Sequence, residues 1–158
     1  MQAEELFTST LAHLAPEKAL EALTAEQAET RFANAPHSIA ELVAHMNFWQ
    51  DWFLARIRGE AVPMAESASL GWPEVVPGSW PDLRDHFVEG IWDAVEIAKS
   101  QALSSPLSPA IDFGPMADYS IQDALVHIAA HNSHHLGQVI LLRQLQGWWP
   151  PPAGSWTW

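Results

Sequence analysis

SIQDALVHIAAHNSHHLGQVILLRQLQG, residues 120–147, reads as one long helix with its start and stop signals in place. Ser120 can cap the first turn and Asp123, three residues on, can answer its backbone. Ala124, Ile128 and Leu142 fall on one stripe, and Gly147 ends the run. The segment SIAELVAHMNFWQDWF, residues 38–53, repeats the same grammar. Ser38 and Glu41 form a capping box, and Ile39, Leu42, Met46, Trp49 and Phe53 form a seam at three- and four-residue spacing that Gly59 stops.

Outward from these two rods, a third helix starts at Ser79 or Trp80 and ends near Gln101. It carries Leu83, Phe87, Ile91, Val95 and Ala98 on one face. A first helix is predicted over about Ala3–Leu23, kinked or restarted at Pro16, and Thr24–Gln27 follows as a short capped turn. The connections 59–79 and 102–119 are rich in Gly and Pro and read as loops. No alternating strand pattern and no internal repeat is present, so the fold class is all-α, with four helices around one core. Residues 1–147 are expected to form that bundle. Residues 148–158 form a tail rich in Trp and Pro, whose Trp148, Trp149, Trp156 and Trp158 should dock on the bundle or on a dimer partner.

At 158 residues the chain is long enough to bury a core without a disulfide or structural metal. It has no cysteine, which excludes a disulfide scaffold, thiolate metal sites and a cysteine nucleophile. Seven Lys and Arg against 19 Asp and Glu give a net charge of −12, the wrong sign for a nucleic-acid binder. Met1–Leu6 lacks a basic stretch followed by an apolar run, so no signal peptide is expected, and no apolar segment is long enough to span a membrane. A soluble, cytoplasmic protein is predicted.

Four of the eight histidines fall within nine residues of the last helix: His127, His131, His134 and His135. His131 and His135 are four apart and share the direction of the apolar stripe, so both should point inward, with His127 and His134 nearer the edge. His45, between Leu42 and Trp49 on the second helix, faces inward too. An inward histidine is either a hydrogen-bonded core residue or a metal ligand, and two buried imidazoles one turn apart both need partners. Imidazole nitrogens suit zinc, nickel, copper or iron, and three of them leave a coordination position open. His13, His37 and His86 lack such a context and read as surface or cap residues.

The segment 126–138, with its H-x-x-H-H-x-G-Q pattern, resembles the final-helix motif of the DinB-like (DinB/YfiT) superfamily. The segment 38–49 is similar to that family's second helix. The resemblance covers the whole chain and implies a four-helix bundle of up-down-down-up topology, usually dimeric. It further implies a divalent metal, zinc or nickel, held by His45, His131 and His135. Leu136 departs from the pattern, since many members carry Arg there. Around the implied site, Gln138 and His134 are candidates to orient a ligand. Trp49 and Trp52 are candidates to wall the cavity above it, and Gly137 should mark a close approach of another helix.

A divalent ion held by three neutral imidazoles lowers the pKa of a fourth ligand, water or thiol, which opens hydrolysis and sulfur transfer respectively. With no cysteine in the chain, a thiol must arrive as a cosubstrate. The resemblance implies the second chemistry, as in relatives that use low-molecular-weight thiols on small-molecule electrophiles. A metal-dependent hydrolase and a non-catalytic metal-binding stress-response protein are the alternatives. No general base stands out: Asp51 and Asp93 are acidic residues on the seam-bearing helices but read as solvated surface groups. A ferritin-like di-iron site needs Glu-x-x-His pairs, and no Glu precedes a His by three. DNA binding conflicts with the charge of −12.

Overall fold

The computed structural model describes residues 3–8, 14–100 and 102–155. They form six α-helices: α1 Glu5–Thr8, α2 Pro16–Ala19, α3 Ala25–Glu29, α4 Ile39–Ile57, α5 Trp80–Ser100 and α6 Ile121–Leu145. There is no β-strand among the described residues, and none of their helices is long and apolar enough to cross a membrane. The described residues are all-helical in fold class, as the periodicity predicts.

Each rod begins where local chemistry provides a cap. Ser38 and Glu41 cap α4 reciprocally, Ser120 and Asp123 do so for α6, and Thr24 and Gln27 for α3. Gly59 and Gly147 follow the ends of α4 and α6 with φ of +88° and +71°, a conformation that glycine adopts without the Cβ penalty.

In the N-terminal segment a helix restarts at Pro16, as expected, but it is shorter than the predicted reach to Leu23. The segment's described residues form two four-residue helices, α1 and α2. Pro16 is the first residue of α2, where its missing N–H interrupts nothing. His13, Gln101, Trp156 and Trp158 lie outside the described residues.

The core lies between α4, α5 and α6 and is closed by the short helices. Met46, Phe53, Phe87, Ile91, Leu125 and Ile128 are all buried in it. Apolar burial of this kind stabilises by roughly 1.5–3 kcal/mol per large side chain. Trp80 closes one end, with its indole N–H on the Leu23 carbonyl at 3.0 Å. A polar strut crosses the interior: the Gln50 amide donates to the Phe87 carbonyl at 3.2 Å and accepts from Asn132 at 2.9 Å. Of the tail, Trp148 packs against Phe32, with ring centroids 5.7 Å apart, and the Arg143 guanidinium lies 5.5 Å from the centre of the Trp149 ring.

The sequence pointed to Gly137 as a place of close helix approach, and here the structure differs. A Cβ at Gly137 would meet nothing within 4 Å, because this side of α6 faces solvent. Gly137→Ala should therefore stabilise the protein by about 1 kcal/mol through helix propensity, read as a rise in Tm. The glycine that accommodates a neighbour is Gly90 on α5, against which Gln50 lies.

Candidate metal centre

His45 is buried at the middle of α4, and His131 and His135 sit one turn apart on α6. Packing of α4 on α6 brings the three together: one ligand-capable nitrogen from each lies within 4.8 Å of the others. Their ring centroids are 4.6–4.9 Å apart. His131 Nε2 stands 3.2 Å from His45 Nε2. Two nitrogens bound to one ion at about 2.0–2.1 Å each would have a similar separation.

The other face of two rings is already fixed. His45 Nδ1 lies 2.5 Å from the Gly71 carbonyl, and His135 Nδ1 lies 2.7 Å from Gln138 Oε1. Oxygens of this kind accept only, so Nδ1 carries the proton on both rings and Nε2 keeps its lone pair. Burial favours the unprotonated form throughout. It lowers the pKa of His45 and of His135, and for His135 the neighbouring imidazoles push the same way. His131, crowded by His135 and His45 as well as desolvated, is pushed down to about 3. Three neutral nitrogen donors with two Nδ1–H groups pinned from behind fit a divalent transition metal.

A loop the sequence left without structure performs much of the positioning. Within 59–79, Ala68–Gly71 forms a 3₁₀ turn whose end delivers the Gly71 carbonyl to His45. Gly71 has to be glycine: a Cβ there would come within 2.8 Å of the Trp49 indole nitrogen. Trp72 then lies flat between His45 and His37, with centroid distances of 3.8 and 3.7 Å and near-parallel planes. Its edge meets His135 at 5.9 Å. His37, read from sequence as a surface or cap residue, is thus the outer plate of a three-ring stack.

A cavity of about 820 Å³ opens beside the cluster. His135, Gln138, His37 and Trp72 contribute to its wall, along with Phe32 and Leu142. A smaller hollow of about 500 Å³ reaches His131 from another side, past His134, His127 and Tyr119. Tyr119 and His127 are joined there, hydroxyl to Nδ1, at 3.1 Å. Trp49 and Trp52, the sequence candidates to wall the site, stand elsewhere. Trp52 turns into the core with its N–H on the Pro63 carbonyl at 2.8 Å, and Trp49 braces Gly71. Neither lines the large cavity. Trp72 takes that place because the loop, and not helix α4, covers the cluster.

The remaining candidates separate. Gln138 bonds His135 as just described. His134 is exposed and touches the cluster only by its edge against His135. Asp51 and Asp93 are on the surface, paired with His86 and Arg58. Leu136 is buried in the core. Gln138→Leu, which removes the acceptor and keeps the size, should weaken metal affinity by about 10–100-fold in a competition titration against a chelator.

A model of the DinB superfamily matches residues 15–139, most of the chain and all three histidines of the cluster. The chain belongs to the DinB superfamily. No curated protein matches it. Membership in this superfamily and a three-histidine cluster on α4 and α6 together fit a metal-binding enzyme, with a divalent metal as cofactor.

Proposed function

We propose that this DinB-superfamily protein is a metal-dependent S-transferase. It joins a low-molecular-weight thiol to a small electrophile at a zinc or nickel site held by His45, His131 and His135. The observation that carries the reading is a cluster of three neutral imidazoles, two buried and His131 half-buried, with no carboxylate in it. When bound, the ion supplies a nucleophile at neutral pH by lowering the pKa of the thiol. The chain's own residues do the rest. Gly71 and Gln138 hold two imidazoles in the tautomer that offers Nε2 inward, Trp72 shields the His45 ring face from water, and the 820 Å³ cavity admits the reactants beside His135. A carbon–sulfur bond forms on the electrophile, the leaving group departs with its electron pair, and the thiol proton passes to solvent. The fold reading that accompanies this is an up-down-down-up four-helix bundle, with the α1–α2 segment as its first rod, acting as a homodimer.

The hydrolase alternative is less well supported, because the candidate bases Asp51 on α4 and Asp93 on α5 are paired with His86 and Arg58 at the surface. The test is conjugation of a haloarene by the zinc- or nickel-loaded protein with and without added thiol. Thiol-dependent halide release, abolished in His131→Ala, is the expected result. Bound metal with thiol-independent hydrolysis of an ester panel would establish the hydrolase, and bound metal with neither activity a non-catalytic metal-binding protein.

A further inference from the structure

The sequence has seven Lys and Arg side chains, all of them in described residues, and every one is engaged. Arg31 forks onto Glu41, Arg58 reaches Asp93 and Arg84 reaches Asp85, each of the last two at 2.6 Å. Lys18 and Lys99 pair with Glu21 and Glu96. Arg56 and Arg143 are buried, and both donate to main-chain carbonyls, of Val62, Pro109 and Ala110 and of Ala19, Glu21 and Trp148 respectively. None of the seven lines the large cavity or the smaller hollow.

The large cavity is unusual in a second way. In a chain with 26 acidic and basic side chains, counted as 7 plus 19, no Asp, Glu, Lys or Arg lines it. Its polar atoms belong to amides such as Gln138 and Asn34 and to the imidazoles of His37 and His135, and the rest is Phe32, Leu142 and similar apolar surface. Both faces of Trp72 are covered by histidines, so it offers an edge and no stacking platform for a cation. A carboxylate in this space would lose water and gain at most neutral amide donors and imidazoles, with no Lys or Arg to pair with, and the net charge of −12 opposes its entry. A bound metal would bring the positive charge that Lys and Arg do not, and in the thiol-transfer reading the sulfur uses it.

Resting on that reading, we propose that the site selects reactants with uncharged bodies: an apolar electrophile, and a thiol whose only anionic atom is its sulfur. Thiols that carry carboxylates, such as acidic peptides or thiols conjugated to dicarboxylic acids, are disfavoured by the lack of any Lys or Arg in the cavity.

The test uses two thiols of the same width, benzyl mercaptan and 4-(mercaptomethyl)benzoate, titrated into the cobalt(II)-loaded protein at pH 7. The readout is the sulfur-to-cobalt charge-transfer band, which needs no turnover. Benzyl mercaptan should bind at least about tenfold more tightly than the benzoate. Leu145→Arg adds a cation at an exposed position on the cavity's rim, where the native side chain is 69% accessible, so the helix should tolerate it. It should bring the two thiols to within about threefold of each other by strengthening binding of the benzoate. Equal or tighter binding of the benzoate by the native protein overturns the proposal, as does a ratio that the rim arginine leaves unmoved. No band with either thiol on protein that has taken up cobalt removes the thiol-transfer reading itself, and this proposal with it.

Discussion

Replacing His131 by Ala should strip the protein of most of its divalent metal and leave its helices in place. His131 Nε2 stands 3.2 Å from His45 Nε2 across the α4–α6 contact, so its loss leaves His45 and His135 as two donors where the cluster had three. Deletion of an outer partner of a ligand typically costs 10–100-fold in affinity, so deletion of a ligand should cost more than about 100-fold. The fold has no comparable dependence on this ring. Alanine is the better helix former, and the Ser120 cap that starts α6 is untouched. Elemental analysis should show metal lost, and far-ultraviolet circular dichroism should show helix content unchanged. Stoichiometric metal in the variant would remove His131 from the ligand set. His134→Ala is the control: that side chain is exposed and should leave metal content unaltered. The metal-free native protein carries a further signature. His131 protonates near pH 6.5 when unfolded but only at about 3 when folded, so between those values the unfolded state binds more protons. Acid should therefore erode stability from about pH 6.5 downward, and the slope should be shallower in His131→Ala.

The parts of this site that lie on helices were legible because a helix converts spacing into direction. His131 and His135 at i and i+4, on the same stripe as Ile128, had to face the core, and His45 on the seam of α4 had to face the same interior. The caps at Ser38 and Ser120 fixed both rods in register, and the glycines at 59 and 147 fixed their ends. Legibility ended with periodicity. Nothing in the spacing of 59–79 says that Gly71 will turn its carbonyl onto His45 or that Trp72 will lie between two histidines, because a loop has no repeat from which to read a direction. Trp49 and Trp52 were candidates for being on the ligand-bearing helix, yet the tryptophan that covers the His45 ring, Trp72, comes from the loop crossing above it. His37 was missed for the same reason, since its partner is 35 residues away and in a loop. At the N-terminus the restart at Pro16 was legible from the missing backbone donor, whereas the end of that helix at Ala19, short of Leu23, was not.

The glycines show what sequence leaves out most clearly, and Gly90→Ala is the substitution that exposes it. In α5 alone, alanine should improve helix stability by about 1 kcal/mol. In the folded protein a Cβ at this position would fall 2.1 Å from Gln50 Nε2 and 2.9 Å from its Cδ. The amide is the end of a flexible side chain, but it cannot simply swing aside. Gln50 is buried and bonded to both the Phe87 carbonyl and Asn132 Nδ2. Moving it strands those two groups, and Asn132 already has a buried carbonyl oxygen without a partner. Overpacking costs about 1–3 kcal/mol and an unpaired buried polar group about 1–3 more, so after the propensity gain a net loss of about 1–5 kcal/mol is expected. For a domain of this size that is a fall in Tm of about 2–20 °C. Shortening the strut in the double variant Gly90→Ala/Gln50→Ala should recover part of the loss by removing the clash, though not the bond to Asn132. A single variant as stable as the native protein would mean that Gln50 has another place to go. Because Asn132 adjoins His131, the same substitution should also loosen the metal centre, so a chelator titration should register a change that helix propensity alone has no means to produce.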